Sequence, residues 1–236
     1  MAIYHANIKN FSKAKGDSSI AAAAYRAGLD LVDTRTRDWY RYSQRRGVAA
    51  VRMLAPAGSP DWCNDPCVFW DANQQGEARK NALVARELEV SLPHELDGRQ
   101  REALAVALGQ LLVDRYQSVV MVAIHEPVNG SDTRNHHTHL LISARQVGPG
   151  GLGERACAAL DARGGKGAEE VRAVRALVSN IINDHLVRAG VGQTVDHRSL
   201  KDQASSAIAR GDHQLAIRLT RPPTKHLGKF ATHVLG

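Results

Sequence analysis

Three histidines in four positions, followed by an apolar run, make "NHHTHLLIS" (135–143) a stretch that can do metal chemistry. Imidazole is the commonest metal ligand among side chains. On a strand, side chains two apart share a face, so His137 and His139 project together while His136 faces the other way. His125 ends the preceding apolar run, "SVVMVAIH" (118–125). If these two strands pair antiparallel across the turn-rich "EPVNGSDTRNH", His125 lies beside the start of the next strand. His125, His137 and His139 then converge on one point. Three neutral ligands leave the charge of a divalent ion free to polarise a phosphate or carbonyl oxygen, or to activate water. Imidazole ligation alone favours Zn, Ni or Cu over Mg, so a metallohydrolase is one reading of the triad. The bland alternative is a polar rim at the end of a sheet.

Another reactive group stands in "SSIAAAAYRAG" (18–28). Tyr25 follows four alanines, whose small side chains let a helix lie close against a sheet or a DNA strand and present the phenol. A tyrosine oxygen can act as a covalent nucleophile, although a tyrosine on an Ala-rich helix more often packs than reacts. A phenol, with a pKa of about 10 in water, needs help to lose its proton at neutral pH. In "RELEVSLP" (86–93), Glu87, Glu89 and Ser91 share one strand face. Either glutamate can serve as a base or orient a ligand histidine; the alternative is the solvated face of an edge strand. The sequence does not separate Glu87 from Glu89.

The 236 residues carry 31 Lys and Arg against 24 Asp and Glu, a formal charge of +7. That excess favours a polyanionic partner, with nucleic acid first among them, over a merely solvated basic surface. The segment "RTRDWYRYSQRR" (35–46) concentrates it. Arg35, Arg37, Arg41, Arg45 and Arg46 can meet phosphates, while Trp39, Tyr40 and Tyr42 can stack on unpaired bases. The alternative is a plain basic loop. A non-catalytic module that binds single-stranded DNA would explain the charge, but would leave Tyr25 and the triad without a purpose.

These groups need elements to position them. The apolar fraction of 43% and the charged fraction of 23% suit a soluble globular chain. Apolar alternation predicts strands over 2–9, 48–54, 85–93, 118–125 and 138–144. Helices are expected from an N-cap at Asp17 or Ser18 to Gly28, from about Pro66, over 97–117 and over 168–190. The third carries Leu104, Leu108, Leu111 and Leu112 on one stripe. The glycine-rich "VGPGGLGERACAALDARGGKG" (147–167) reads as a mobile loop, and the polar tail resists assignment. Intermixed strands and helices with an antiparallel pair give an α+β class, with one domain over 1–236 and no internal linker. Cys63, Cys67 and Cys157 form no disulfide framework and read as free thiols in a reducing cytosol. The opening residues do not read as a signal peptide, and no run of roughly 18 apolar residues predicts membrane insertion.

Five motifs occur in order: "MAIYHANIK", "SSIAAAAYRAG", "ARELEVSLPHEL", "IHEP…NHHTHLLIS" and "VDHRSL…PPTKHLG". From residue 1 to about 230 the chain resembles the MobA/MobL family of plasmid mobilisation relaxases, within the HUH endonucleases. The resemblance implies a central antiparallel sheet flanked by helices, with the metal site on the sheet. It implies site- and strand-specific nicking and rejoining of plasmid DNA at an origin of transfer, the strand being single at the nick. Tyr25 is then the nucleophile that takes the 5′ phosphate and releases a 3′ hydroxyl. His125, His137 and His139 hold a divalent ion, Mg or Mn first, with Zn, Ni or Co as further options. Accessory relaxosome proteins and a type IV secretion coupling protein are the implied partners, in the bacterial cytoplasm. Two departures stand out: His136 replaces the proline that members carry, and "SSAIARGDHQLAIRLTRPP" (205–223) is longer than the pattern leads one to expect.

Overall fold

A computed structural model describes residues 4–128 and 132–220. Residues 1–3 of the first motif and the "PPTKHLG" of the last lie outside the described residues. In chain order the elements are β1 (Ala6–Ser12), α1 (Ser19–Ala27), β2 (Asp30–Val32), β3 (Trp39–Arg41), β4 (Val48–Leu54) and α2 (Pro66–Gln75). There follow β5 (Leu83–Ser91), α3 (Gly98–Tyr116), β6 (Ser118–His125), β7 (His137–Gly148), β8 (Gly151–Arg155) and α4 (Lys166–Arg188). The last two are α5 (Leu200–Ala209) and α6 (His213–Leu219).

An antiparallel sheet in the order β1-β5-β7-β6-β4 runs through the molecule, and β8 pairs with the far end of β7. The fold is thus α+β, with a helix layer on each face. β6 is buried along its whole length because both faces are covered. Val120, Val122 and Ile124 join Leu104, Leu108 and Leu112 of α3 and Val174, Val178 and Ile182 of α4. Val119 and Met121 face the other way, towards Ile20, Ala23 and Ala24 of α1 and Phe69 and Trp70 of α2. The α3 stripe is as expected, except that Leu111 lies at its partly buried edge.

α1 is held near the sheet by smallness. Ala22, Ala23, Ala24 and Ala27 are all buried, so the backbone approaches where larger side chains would hold it off. Ser18 caps its start by accepting from Ala21 N at 3.3 Å, and Gly28 ends it at φ 62. A side chain at Gly28 would face both the left-handed strain and Val48 Cγ2, 3.3 Å from its Cβ. On the opposite face α3 comes closest at Gly109, where a Cβ would lie 2.6 Å from Val122 Cγ2 and 2.7 Å from Leu54 Cδ1.

One expectation changes, and two stretches without assigned elements acquire them. The glycine-rich segment is not an unstructured loop: β7 runs on to Gly148, Gly151 adopts φ 91, and β8 returns along β7 before a short 3-10 turn at Ala158–Asp161. Its glycines serve a tight hairpin reversal. The basic segment contains part of a two-stranded ribbon, β2 against β3. The tail forms α5 and α6, and the described residues fall into two compact units that meet at His197 and Arg198. Within the second, Ala204, Ala207 and Ala216 are buried. Among the described residues no helix is long and apolar enough to cross a membrane.

Candidate active site

Strand register assembles the histidines. β6 and β7 place His125 opposite His137 and Ala123 opposite His139. The three rings face one another with centroids 4.7 to 5.1 Å apart, and their ligand nitrogens lie within 4.8 Å of one another. Each ring has one nitrogen already held. His125 Nε2 donates to the Arg26 carbonyl at 2.7 Å, His137 Nδ1 to the Asn135 carbonyl at 3.1 Å, and His139 Nδ1 to Glu87 Oε1 at 2.7 Å. A carbonyl or carboxylate oxygen only accepts, so the proton on each ring is assigned to that nitrogen. His125 Nδ1, His137 Nε2 and His139 Nε2 are left as bare lone pairs. Burial lowers the pKa of His137, and pushes that of His125 down to about 4, keeping both rings neutral. Three imidazoles whose outer hydrogen bonds fix their orientation fit a divalent ion. His136 precedes β7 and stands outside this cluster.

The register of β5 with β7 sets Glu89 opposite His139, and the two glutamates part company here. Glu87 has no exposed surface. Its carboxylate takes Arg26 Nε on Oε1 and Arg26 Nη2 on Oε2 at 3.0 Å, besides His139. Burial alone would raise its pKa, but the hydrogen bonds from His139 and Arg26 outweigh it and hold the group at about 2. Such a carboxylate is a poor proton acceptor and a good orienting partner. Glu89 is bonded to Lys9 Nζ at 2.6 Å. It lines an open cavity of about 490 Å³ with His5, His94, Arg134, His136 and His137.

Tyr25 occupies the last turn of α1 and is 46% exposed. Its ring meets Tyr42 edge-on at 5.3 Å, and the Arg45 guanidinium lies 3.6 Å from its centroid. Arg45 Nη1 also donates to the Tyr25 carbonyl at 2.7 Å. The next residue, Arg26, is the one that grips both His125 and Glu87. Sequence reading missed it, because its partner Glu87 lies 61 residues away. Lys9, the partner of Glu89, was missed as well.

The basic segment divides. Arg35, Arg37, Trp39, Arg41 and Arg46 are exposed, and Arg41 lies 5.6 Å over the Trp39 ring. Arg37 sits in the turn between β2 and β3 at φ 63, where the Asp33 carboxylate accepts from the backbone of Arg35 and Thr36. Tyr40, Tyr42 and Arg45 are half-buried. Tyr40 and Tyr42 pack against the α1 core, and Arg45 is committed to Tyr25.

The sheet order, the helix layers and the three-histidine face define a protein of the relaxase fold. The family model for the MobA/MobL family matches residues 17–218, and the chain belongs to that family. It is similar to the mobilization protein MobL of Acidithiobacillus ferridurans, 31% identical over 260 residues, which covers 99% of this chain and 64% of that protein. The chain therefore spans less than two thirds of that relative's length. A structure solved for the molecular basis of vancomycin resistance transfer in Staphylococcus aureus superposes with a TM-score of 0.72 at 27% identity, covering 84% of this chain and all of that one. The conjugative relaxase TrwC, in its metal-free complex with origin-of-transfer DNA, matches with a TM-score of 0.52 at 14% identity over 98% of this chain and 95% of that one. This last likeness is one of fold.

Proposed function

We propose that this chain is a relaxase domain that nicks and rejoins one strand of plasmid DNA at an origin of transfer, with Tyr25 as the nucleophile. The observation that carries the reading is the one-residue step from Tyr25 to Arg26, whose carbonyl and guanidinium bear on the His125, His137 and His139 cluster. A divalent ion held by the three imidazoles would neutralise a non-bridging phosphate oxygen, reducing the repulsion that an anionic diester offers a nucleophile. Tyr25 Oη forms the new bond to phosphorus as the bond from phosphorus to the 3′ oxygen breaks. The half-exposed phenol gives its proton to solvent, and the leaving 3′ oxygen takes one back. One phosphodiester replaces another, so the step is nearly isoenergetic and a strand with a free 3′ hydroxyl can reverse it without ATP.

Glu87 orients His139 in this scheme, and Glu89 stands at the cavity wall with Lys9 bonded to its Oε2. Exposed Arg35, Arg37, Arg41 and Arg46 track phosphates, and Trp39 offers a face for an unpaired base. Tyr40, Tyr42 and Arg45 support the DNA path from beneath, around Tyr25. Mg or Mn is the proposed ion on grounds of the reaction, although three imidazoles also suit Zn, Ni or Co. Accessory relaxosome proteins and a type IV secretion coupling protein complete the proposed setting, in the bacterial cytoplasm. The family match over residues 17–218 takes in most of both units, which supports reading them as parts of one functional relaxase domain.

The test is a cognate origin strand incubated with the protein and Mg²⁺ or Mn²⁺. A protein band shifted by attached DNA, removed by protease and reversed by a second strand with a free 3′ hydroxyl, is expected. Cleaved DNA with no protein-linked fragment would overturn the tyrosine route.

A further inference from the structure

We infer that Arg26 is a positioning residue that sets two of the three metal ligands and the tyrosine from a single point of the backbone. Its carbonyl oxygen fixes the tautomer of His125 on β6, through the 2.7 Å bond from Nε2. Its guanidinium forks onto both oxygens of Glu87, and Glu87 in turn holds His139 on β7. The same guanidinium is tied back to its own helix by Nη1 donating to the Ala22 carbonyl at 3.1 Å, and lies 4.8 Å from the centroid of the Phe11 ring on β1. With 12% of its side chain exposed, it has little freedom to swing away.

The consequence is geometric. Tyr25 and Arg26 are joined by one peptide bond, so the two arms of Arg26 place the Tyr25 backbone relative to the cluster, while Tyr42 and Arg45 hold its ring. The start of α1 is anchored separately, through Ser19 bonded to Gln74 and Asn73, and Arg26 anchors the end that carries the tyrosine. A planar fork suits the side-chain arm, because a guanidinium meets both carboxylate oxygens in one plane while a further N–H reaches the Ala22 carbonyl. Lysine would keep the charge and lose the fork. Outer partners of metal ligands typically contribute about 10- to 100-fold to metal affinity.

This inference rests on the three-histidine metal site, and its test needs no DNA. Mn²⁺ alone is titrated calorimetrically into the full chain as wild type, Arg26→Lys, Arg26→Gln, Glu87→Gln and the Arg26→Gln/Glu87→Gln double variant. Arg26→Gln should bind about 10- to 100-fold more weakly with all three histidines in place, and Arg26→Lys should fall between it and wild type. The double variant should be no weaker than the weaker single variant, since both changes cut one line of support. It also removes the buried carboxylate together with its cation, so it preserves the measurement if Arg26→Gln alone does not fold. A merely structural arginine would lower the melting temperature equally with and without Mn²⁺; a positioning arginine shrinks the rise that Mn²⁺ produces. Wild-type binding matched by Arg26→Gln, or losses that simply add in the double variant, would overturn the inference and leave the metal site standing. No Mn²⁺ binding by wild type would overturn both.

Discussion

His139 Nδ1 donates to Glu87 Oε1 over 2.7 Å, and the accepting carboxylate is wholly buried. The bond leaves the other ring nitrogen pointed at His125 and His137. Glu87→Gln keeps an acceptor atom but loses the charge that makes His139 a stronger ligand, so divalent-ion affinity should fall about 10- to 100-fold. Glu89→Gln, which mainly loses its pair with Lys9, should cost less. Calorimetric titration of the two variants decides the order. A larger loss at Glu89 would reverse the roles assigned to these neighbours.

The buried histidines predict an acid-sensitive fold in the absence of metal. His125 is held at about 4 against its ordinary 6.5, and burial lowers His137 too. Between those values the unfolded chain binds protons that the folded chain refuses, so stability falls as pH drops through that window. Glu87 acts in the next window down. Held at about 2 against 4.5, it contributes stability that is complete above 4.5 and lost as pH falls towards 2. Urea midpoints in chelator should therefore decline from about pH 6.5 downwards, and His125→Asn should flatten the portion above pH 4. A midpoint constant from pH 7.5 to 4.5 would contradict this account.

The ribbon and its flanking loop divide affinity from chemistry. Replacing the exposed Arg35, Arg37, Arg41 and Arg46 by alanine should flatten the dependence of single-stranded DNA affinity on salt. The log–log slope should fall by roughly 0.7 for each phosphate that an arginine had neutralised. Trp39→Ala should cost about 1–3 kcal/mol if one base stacks there. Arg45→Ala should alter nicking more than the slope, because Arg45 is engaged with Tyr25. Filter binding over a range of salt concentrations, beside a nicking assay, separates the two effects. An unchanged slope in the fourfold variant would move the DNA path elsewhere.

The triad was legible because two simple periodicities fix it. A strand period of two sorts His137 and His139 from His136, and a buried neighbouring strand delivers His125 to the right end. The caps of α1 were legible for a similar reason, since Ser18 and Gly28 act within one turn of their own positions. Arg26 was not. Its partner is 61 residues away, and nothing local marks an arginine as paired across a fold. The same limit hid the choice between Glu87 and Glu89, which share a face but differ in what the first strand and first helix bring to them. In 147–167 the glycines masked a hairpin: low strand propensity argued for a loop, while tertiary pairing with the end of β7 decided otherwise. β2 and β3, three residues each, are too short for any period to register.

Tyr25→Phe tests the nucleophile most directly. The ring sits edge-on to Tyr42 and beneath the Arg45 guanidinium, and phenylalanine preserves both of these while removing only the oxygen. Folding, divalent-ion affinity and single-stranded DNA affinity should therefore stay close to wild type. The protein-linked DNA product should disappear, because no other atom at that point of α1 can take the phosphate. A hydrolase working through activated water would still cut the strand, since its attacking oxygen comes from solvent. A non-catalytic DNA-binding module would cut with neither form. Denaturing gels of both proteins with a labelled origin strand, with and without Mn²⁺, resolve these three cases. Cleavage by the Phe variant at the wild-type rate would end the case for Tyr25, unless adduct mapping moved the attachment to Tyr4, Tyr40 or Tyr42. Of those, Tyr4 already donates its hydroxyl to the Arg175 carbonyl at 2.7 Å, and burial pushes its pKa up to about 12. Tyr40 and Tyr42 pack against the same core as α1. Tyr25, the most exposed of the four, is the one placed beside Arg26, which bonds His125 and Glu87.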